Sequence, residues 1–125
     1  NPVACRAALA VLDVLEEENL QRNALDVGAH LRAQLDDLRE KHPSIGEVRG
    51  AGLLIGVELV RERATREPAP EVARAVINRM RDKGVLIGTT GPQANVLKIR
   101  PPLVLTTEEA DEIAQRLNEC LGELA

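Results

Sequence analysis

The sequence predicts an α+β fold: a small sheet of three or four mostly antiparallel strands, covered by helices on one face, in the order α-α-β-β-α-β-β-α. Three observations carry this expectation. Apolar residues recur at three- and four-residue steps across long segments near both ends of the chain, as amphipathic helices require. Between those segments lie short aliphatic runs bounded by Gly and Pro, which read as strands. The strand runs come in adjacent short pairs, the arrangement of antiparallel hairpins rather than of parallel crossovers.

In chain order, residues 3–17 form the first helix, with Val3, Ala7, Ala10, Val11, Val14 and Leu15 as its buried stripe. Glu16, Glu17 and Glu18 are a solvated helix end. A second helix over 19–41 places Leu20, Ala24, Val27, Leu31, Leu35 and Leu38 on one face. Pro43 ends it and disfavours the helical conformation at His42. The stretch "IGEVRGAGLLIGVELV" reads as strands 46–50 and 53–60, broken or bulged at Gly50 and Gly52. After the polar loop "RERATREPAP", Val72, Val76, Ile77 and Met80 mark a helix over 70–83, with Gly84 at a left-handed C′ position. "VLIG" (85–88) is a strand, "TTGPQA" (89–94) a loop, and "NVLKIRPPLVLT" (95–106) a further strand. Thr106 with Glu109 forms a capping box for the last helix, 107–123, buried through Ala110, Ile113, Ala114, Leu117, Leu121 and Leu124.

Composition narrows the function classes. The 125 residues are most economically one domain, with 44% hydrophobic and 29% charged residues, ordinary for a globular protein. Aromatic content is 0%, so the core must be built from Leu, Val, Ile and Ala. Base-stacking platforms and aromatic cages are thereby excluded. A net charge of −4 argues against a nucleic-acid partner or an anionic membrane surface. No apolar run approaches the roughly 18 residues of a membrane span. Cys5 and Cys120 read as two buried free thiols in a reducing compartment, the cytoplasm, with neither a disulfide nor a metal site expected. The chain opens "NPVACRAALAVLDVL" without an initiator Met and enters a helix at once, as a piece of a longer polypeptide does.

The motifs with chemical content are few. Gly50, Gly52 and Gly56 in "GAGLLIG" superficially resemble a dinucleotide-binding pattern. That chemistry needs the glycines to open a helix, and here they lead into a β-rich run, so close backbone approach in a bulged sheet is the better reading. His30 and His42 have no ligand partners at metal spacing and read as surface residues. No nucleophile–base set and no acid–base carboxylate pair stands out, so no catalytic residue is assigned. Lys98 and Arg100 are different. Two apart on a strand, they project from one face, where like charges repel and unpaired burial is costly. Salt bridges to acids such as Glu47 or Glu58, or snorkelling at a sheet edge, would relieve this; so would a bound anion, with "TTGPQA" as a neighbouring site loop.

Laid out this way, the chain resembles the C-terminal small domain of class III pyridoxal-phosphate (PLP)-dependent aminotransferases of fold type I. The likeness runs over all 125 residues, on "NP" before a small-residue helix, "VRGAGLLIGVELV", "GVLIG" and "LKIRPPLVLTTEEAD". It implies a homodimeric enzyme whose large domain, absent here, carries the Schiff-base lysine and the Asp facing the pyridinium nitrogen. Asn1 and Pro2 match the end of a Thr-x-Gly-Gly-Asn-Pro motif, whose Thr contacts the cofactor phosphate of the neighbouring subunit. Lys41, Lys83 and Lys98 have no Schiff-base context, so the chain alone is expected to be inactive and not to hold PLP. The resemblance makes Lys98 and Arg100 substrate-binding residues for a small amine. Many members carry Arg where Lys98 stands, and Arg grips a carboxylate with two parallel hydrogen bonds where Lys offers a point charge. "ATREPA" and "GPQANVLKIRPPL" lean toward the branch holding alanine–glyoxylate aminotransferases and ethanolamine-phosphate phospho-lyases. The expected activity is amino transfer to a keto acid or aldehyde. The alternatives are phosphate elimination from a phosphoamine and a non-enzymatic interaction module.

Overall fold

The computed structural model describes residues 1–124, and their element order is the expected one. The helices are α1 (Pro2–Glu17), α2 (Leu20–Lys41), α3 (Pro70–Asp82) and α4 (Thr107–Gly122). The strands are β1 (Ile45–Ala51), β2 (Leu54–Leu59), β3 (Gly88–Thr90) and β4 (Val96–Ile99). The four strands form one sheet in the order β1-β2-β4-β3, antiparallel at every pairing.

Alternation along the strands decides which face is covered. Val48, Ile55, Val57, Leu59, Leu97 and Ile99 are buried, whereas Arg49, Leu54, Lys98 and Arg100 on the other face are exposed. α2 and α3 pack on the buried face, and α4 lies against both helices. The predicted stripe of α2 is the one observed: Val27, Leu31, Leu35 and Leu38 are buried and Leu20 and Ala24 partly so. The capping box at Thr106 and Glu109 is present in both directions, and Gly84 takes φ 87° after α3.

Five expectations need correction. Strand β3 begins at Gly88, so Val85–Ile87 lead into it without pairing. β4 ends at Ile99, since Pro101 and Pro102 cannot donate to a ladder and a turn follows, closed by Leu105 N–H on the Pro102 carbonyl at 3.1 Å. The strands do break at Gly52, in the turn of the β1–β2 hairpin, but Gly50 stays paired with Ile55 and the bulge falls between Ile45 and Glu47. Most consequentially, α1 buries none of its residues: Val3, Val11 and Val14 of the expected stripe are exposed, and Leu15 is only partly covered. Cys5 shares that exposure, while Cys120 is buried as expected, and both are free thiols.

His30 and His42 do more than face solvent. His30 Nε2 lies 2.6 Å from Asp111 Oδ1 and His42 Nε2 lies 2.8 Å from Asn118 Oδ1, so both tie α2 to α4. Arg63 closes the C-terminus of α2. Its guanidinium donates to the carbonyls of Ile45 at 2.9 Å, His42 at 3.0 Å and Arg39, placing a cation where the helix dipole is negative.

Candidate functional site

The site is built on β4, and Asn95 fixes where that strand starts. The buried Asn95 donates from Nδ2 to the Leu59 carbonyl at 2.8 Å, while its own carbonyl accepts from Leu59 N–H at 2.8 Å. A side-chain amide thus extends the β2–β4 ladder by one rung. "TTGPQA" proves to be the β3–β4 hairpin: Thr89 and Thr90 belong to β3, Gly91 (φ 84°) and Ala94 (φ 51°) take the left-handed turn positions, and Ala94 N–H meets the Gly91 carbonyl at 3.0 Å.

With the register set, Lys98 and Arg100 project from the open face while Leu97 and Ile99 enter the core at 0% and 1% exposure. Lys98 stands opposite Gly56 on β2 and opposite Gly88 on β3. Directly paired residues share a face, so this central lysine has no side chain beside it on either neighbouring strand. Gly56 in turn pairs with Arg49, which extends the cationic row across the sheet. Glu47 and Glu58 do not serve Lys98. They meet Arg49, at 2.9 Å and 3.8 Å. Among the described residues, no ion pair includes Lys98 or Arg100.

The other lysines sit in different settings. Lys83 lies between Glu119 and Glu123, at 3.1 Å from each, and hydrogen bonds to Glu123 and then Glu119 hold its ammonium above the ordinary lysine range. Lys41 is exposed at the end of α2. A Schiff-base lysine must shed its proton to attack a carbonyl, and the two carboxylates around Lys83 oppose that. Asn1 caps α1, its Oδ1 accepting from Val3 N–H at 3.0 Å, and Pro2 occupies the first helical turn, where its missing N–H costs nothing. Two positioning residues escaped the sequence. Asn95 is one; Asn23 on α2 is the other, donating to the carbonyls of Leu103 at 2.7 Å and Leu105 at 3.0 Å and so holding the turn behind Arg100. Polar side chains bonded to a backbone 36 to 82 residues away leave no local pattern to read.

A family model described as aminotransferase class-III matches residues 1–121. The chain is 43% identical over 124 residues to an alanine–glyoxylate aminotransferase 2 homologue, named as mitochondrial, of Arabidopsis thaliana, covering 99% of this chain and 26% of that protein. Among solved structures, a phospholyase from Arthrobacter in complex with phosphoethanolamine superposes with TM-score 0.94 at 39% identity, over 100% of this chain and 30% of that one. An amine transaminase from an uncultivated Pseudomonas species, in its PLP-bound form, superposes with TM-score 0.89 at 39% identity, over 99% of this chain and 28% of that one. The chain therefore spans between a quarter and a third of the length of the relatives it matches.

Proposed function

The chain belongs to the class-III aminotransferase family, and on that premise we propose that it is the C-terminal small domain of a PLP-dependent transaminase, moving an amino group between a small amine and a keto acid or aldehyde. The observation that carries this reading is the Lys98–Arg100 pair: two exposed cations on one sheet face, with no ion pair to either among the described residues and a glycine on each side of Lys98. Among the described residues no side-chain carboxylate neutralises them, and an anionic substrate group would.

The lysines described here do not fit a covalent PLP site, since Lys83 is held as a cation between two carboxylates and Lys41 and Lys98 lie on open surface. The cofactor is assigned to the preceding large domain, where it would supply the electron sink for the amine carbon. What this chain contributes is binding and orientation. Lys98 and Arg100 would hold the anionic end of the substrate while the sheet face forms one wall of the site and limits access of water. The family resemblance further supports a homodimer, with Asn1 and Pro2 at the end of the segment facing the neighbouring subunit's cofactor phosphate. Two free thiols, one of them exposed, suit the reducing cytoplasm. The same chemistry also suits a mitochondrial matrix like the one implied by the plant relative's name.

One observation favours a second reading. Position 98 holds Lys, a point charge suited to a phosphate as much as to a carboxylate, and the Arthrobacter phospholyase is among the most similar structures. Phosphate elimination from a phosphorylated amine is that alternative. The polypeptide including its upstream coding sequence should be assayed in parallel for keto-acid-dependent amino transfer and for phosphate release from phosphoethanolamine. Amino transfer supports the main reading, phosphate release alone replaces it, and neither activity would leave the interaction module.

A further inference from the structure

One row of the open sheet face alternates cation and glycine across the strands. Arg49 on β1 pairs with Gly56 on β2, Gly56 with Lys98 on β4, and Lys98 with Gly88 on β3. Paired residues share a face, so Arg49 and Lys98 stand on the same side with only a glycine between them. Two strand spacings put their Cα atoms about 10 Å apart, within the joint reach of two long side chains that meet over bare backbone. The stem of Arg49 lies along that backbone: a Cβ built on Gly56 would find Arg49 Cγ at 3.9 Å and Val96 Cγ1 at 3.1 Å. Gly56 is thus a floor with a cation on either side and the buried Val96 as an apolar wall.

Arg49 also has a local role. Glu47 and Glu58 are paired directly opposite each other in the next row, and like charges so placed repel. Arg49 relieves them with a single nitrogen: its Nη1 is 2.9 Å from Glu47 Oε2 and 3.8 Å from Glu58 Oε2. Among the described residues its Nε and Nη2 meet no acceptor, and the side chain is 47% exposed. That edge of a guanidinium offers two parallel N–H groups to one anion. We propose that Arg49 is a further ligand for the substrate's anionic end, which sits over Gly56 between Arg49 and Lys98, and that Glu58 restrains Arg49. Arg100, two residues along the chain from Lys98 on the same face, completes a cluster of three cations. The proposal rests on the reading of Lys98 as a substrate-binding residue and adds a residue, a seat and a restraint. An exposed ion pair contributes little, so Glu58 yields Arg49 at small cost when an anion arrives.

The test is calorimetric titration of inorganic phosphate into the PLP-loaded polypeptide extended by its upstream coding sequence, at low ionic strength and without turnover. Arg49→Gln should weaken phosphate binding at least about fivefold, and Arg49→Lys should recover part of that loss. Glu58→Gln should tighten binding about two- to fivefold, since it frees the guanidinium from an exposed pair. A residue that only steadied the sheet would give loss or no change there, so this variant keeps the test decisive even if Arg49→Gln fails to fold. In the double variant the gain should disappear. Arg61→Gln removes a cation engaged by Glu67 at 3.2 Å and Glu71 at 3.0 Å, and should leave the affinity unchanged. An effect there as large as that of Arg49→Gln would mean that binding follows net charge, against the proposal. Absence of saturable phosphate binding, unchanged affinity in Arg49→Gln, or a Glu58→Gln gain that survives without Arg49 would each overturn it. Lys98→Gln separates the proposal from the reading beneath it. If Lys98→Gln weakens binding and Arg49→Gln does not, only the proposal falls; if Lys98→Gln has no effect, both fall.

Discussion

Gly28, in the middle of α2, meets the backbone of Gly52, the turn residue of the β1–β2 hairpin. A Cβ on Gly28 would stand 2.8 Å from the Gly52 Cα and closer still to its carbonyl group. Backbone atoms cannot rotate away as a side-chain tip can, so Gly28→Ala must push α2 off the sheet. The expected loss is about 3 kcal/mol, at the upper end of overpacking costs. Gly52→Ala brings its Cβ to 3.3 Å from the Ala24 carbonyl oxygen, tighter than ordinary contact but relieved by a shift of a few tenths of an ångström, and must hold φ 52°, a strain of about 1 kcal/mol. Urea denaturation should rank Gly28→Ala well below Gly52→Ala. The reverse order would mean that the helix–hairpin approach is not tight.

Asn95 and Leu59 make a second such lock, and here the energetics are those of a buried polar group. Asn95→Ala removes the Nδ2 donor, but the Leu59 carbonyl keeps the Ala69 N–H at 3.1 Å, so it is not orphaned. The cost should be about 1–2 kcal/mol, a lost hydrogen bond plus a small void. Asn95→Leu fills the volume yet aims methyl groups at that carbonyl and should do no better than Ala. Chemical denaturation distinguishes these: a leucine variant as stable as wild type would show that the side-chain rung is dispensable.

Acid should loosen the contact between α2 and α4. Hydrogen bonds from His30 and then Gln34 hold the Asp111 carboxyl below the ordinary aspartate range. Those from Lys83 and then Gln115 do the same for Glu119, which ties α4 to the end of α3. A carboxyl depressed in the folded state contributes stability that is fully present above its unfolded pKa and is lost as pH falls through the folded value. Thermal midpoints should therefore hold steady down to about pH 5 and decline below about pH 4. Asp111→Asn should make that decline shallower. An unchanged acid slope would place the acid-sensitive groups elsewhere.

What could be read from the residues divides along a physical line. Leu31, Leu35 and Leu38 announced the core face of α2, because helical period reports burial directly when the covering surface lies in the same chain. The same logic failed for Val3, Val11 and Val14. Periodicity shows that a face is apolar and is silent on what covers it. Val85 and Ile87 have β-forming side chains, but pairing depends on where the β3–β4 hairpin sets its register, and that starts at Gly88. For the candidate site, period two placed Lys98 and Arg100 together on the open face. The glycines opposite Lys98 were invisible, since cross-strand register is a long-range property. Arg63 was equally hidden, because its three carbonyl partners lie 18 to 24 residues away.

That register gives the sharpest test of the site. Lys98 has Gly56 and Gly88 opposite it, so its ammonium has room on both sides, and Arg100 stands two residues on from the same face. If both hold the substrate anion, removing either costs a hydrogen bond to a charged group, about 1.5–3 kcal/mol, or roughly 10- to 100-fold in kcat/KM. In the polypeptide extended by its upstream sequence, Lys98→Gln and Arg100→Gln should raise KM for the anionic substrate by that factor, with little change for a neutral amine. Lys98→Arg separates the two reactions. A guanidinium grips a planar carboxylate in bidentate fashion, so this variant should keep or improve carboxylate-bearing amines. A phosphoamine bound through a point charge in the glycine-flanked space should lose affinity to the bulkier fork. Equal effects of the glutamine variants on neutral and anionic amines would show that the pair shapes the sheet face and leaves the substrate anion to other residues.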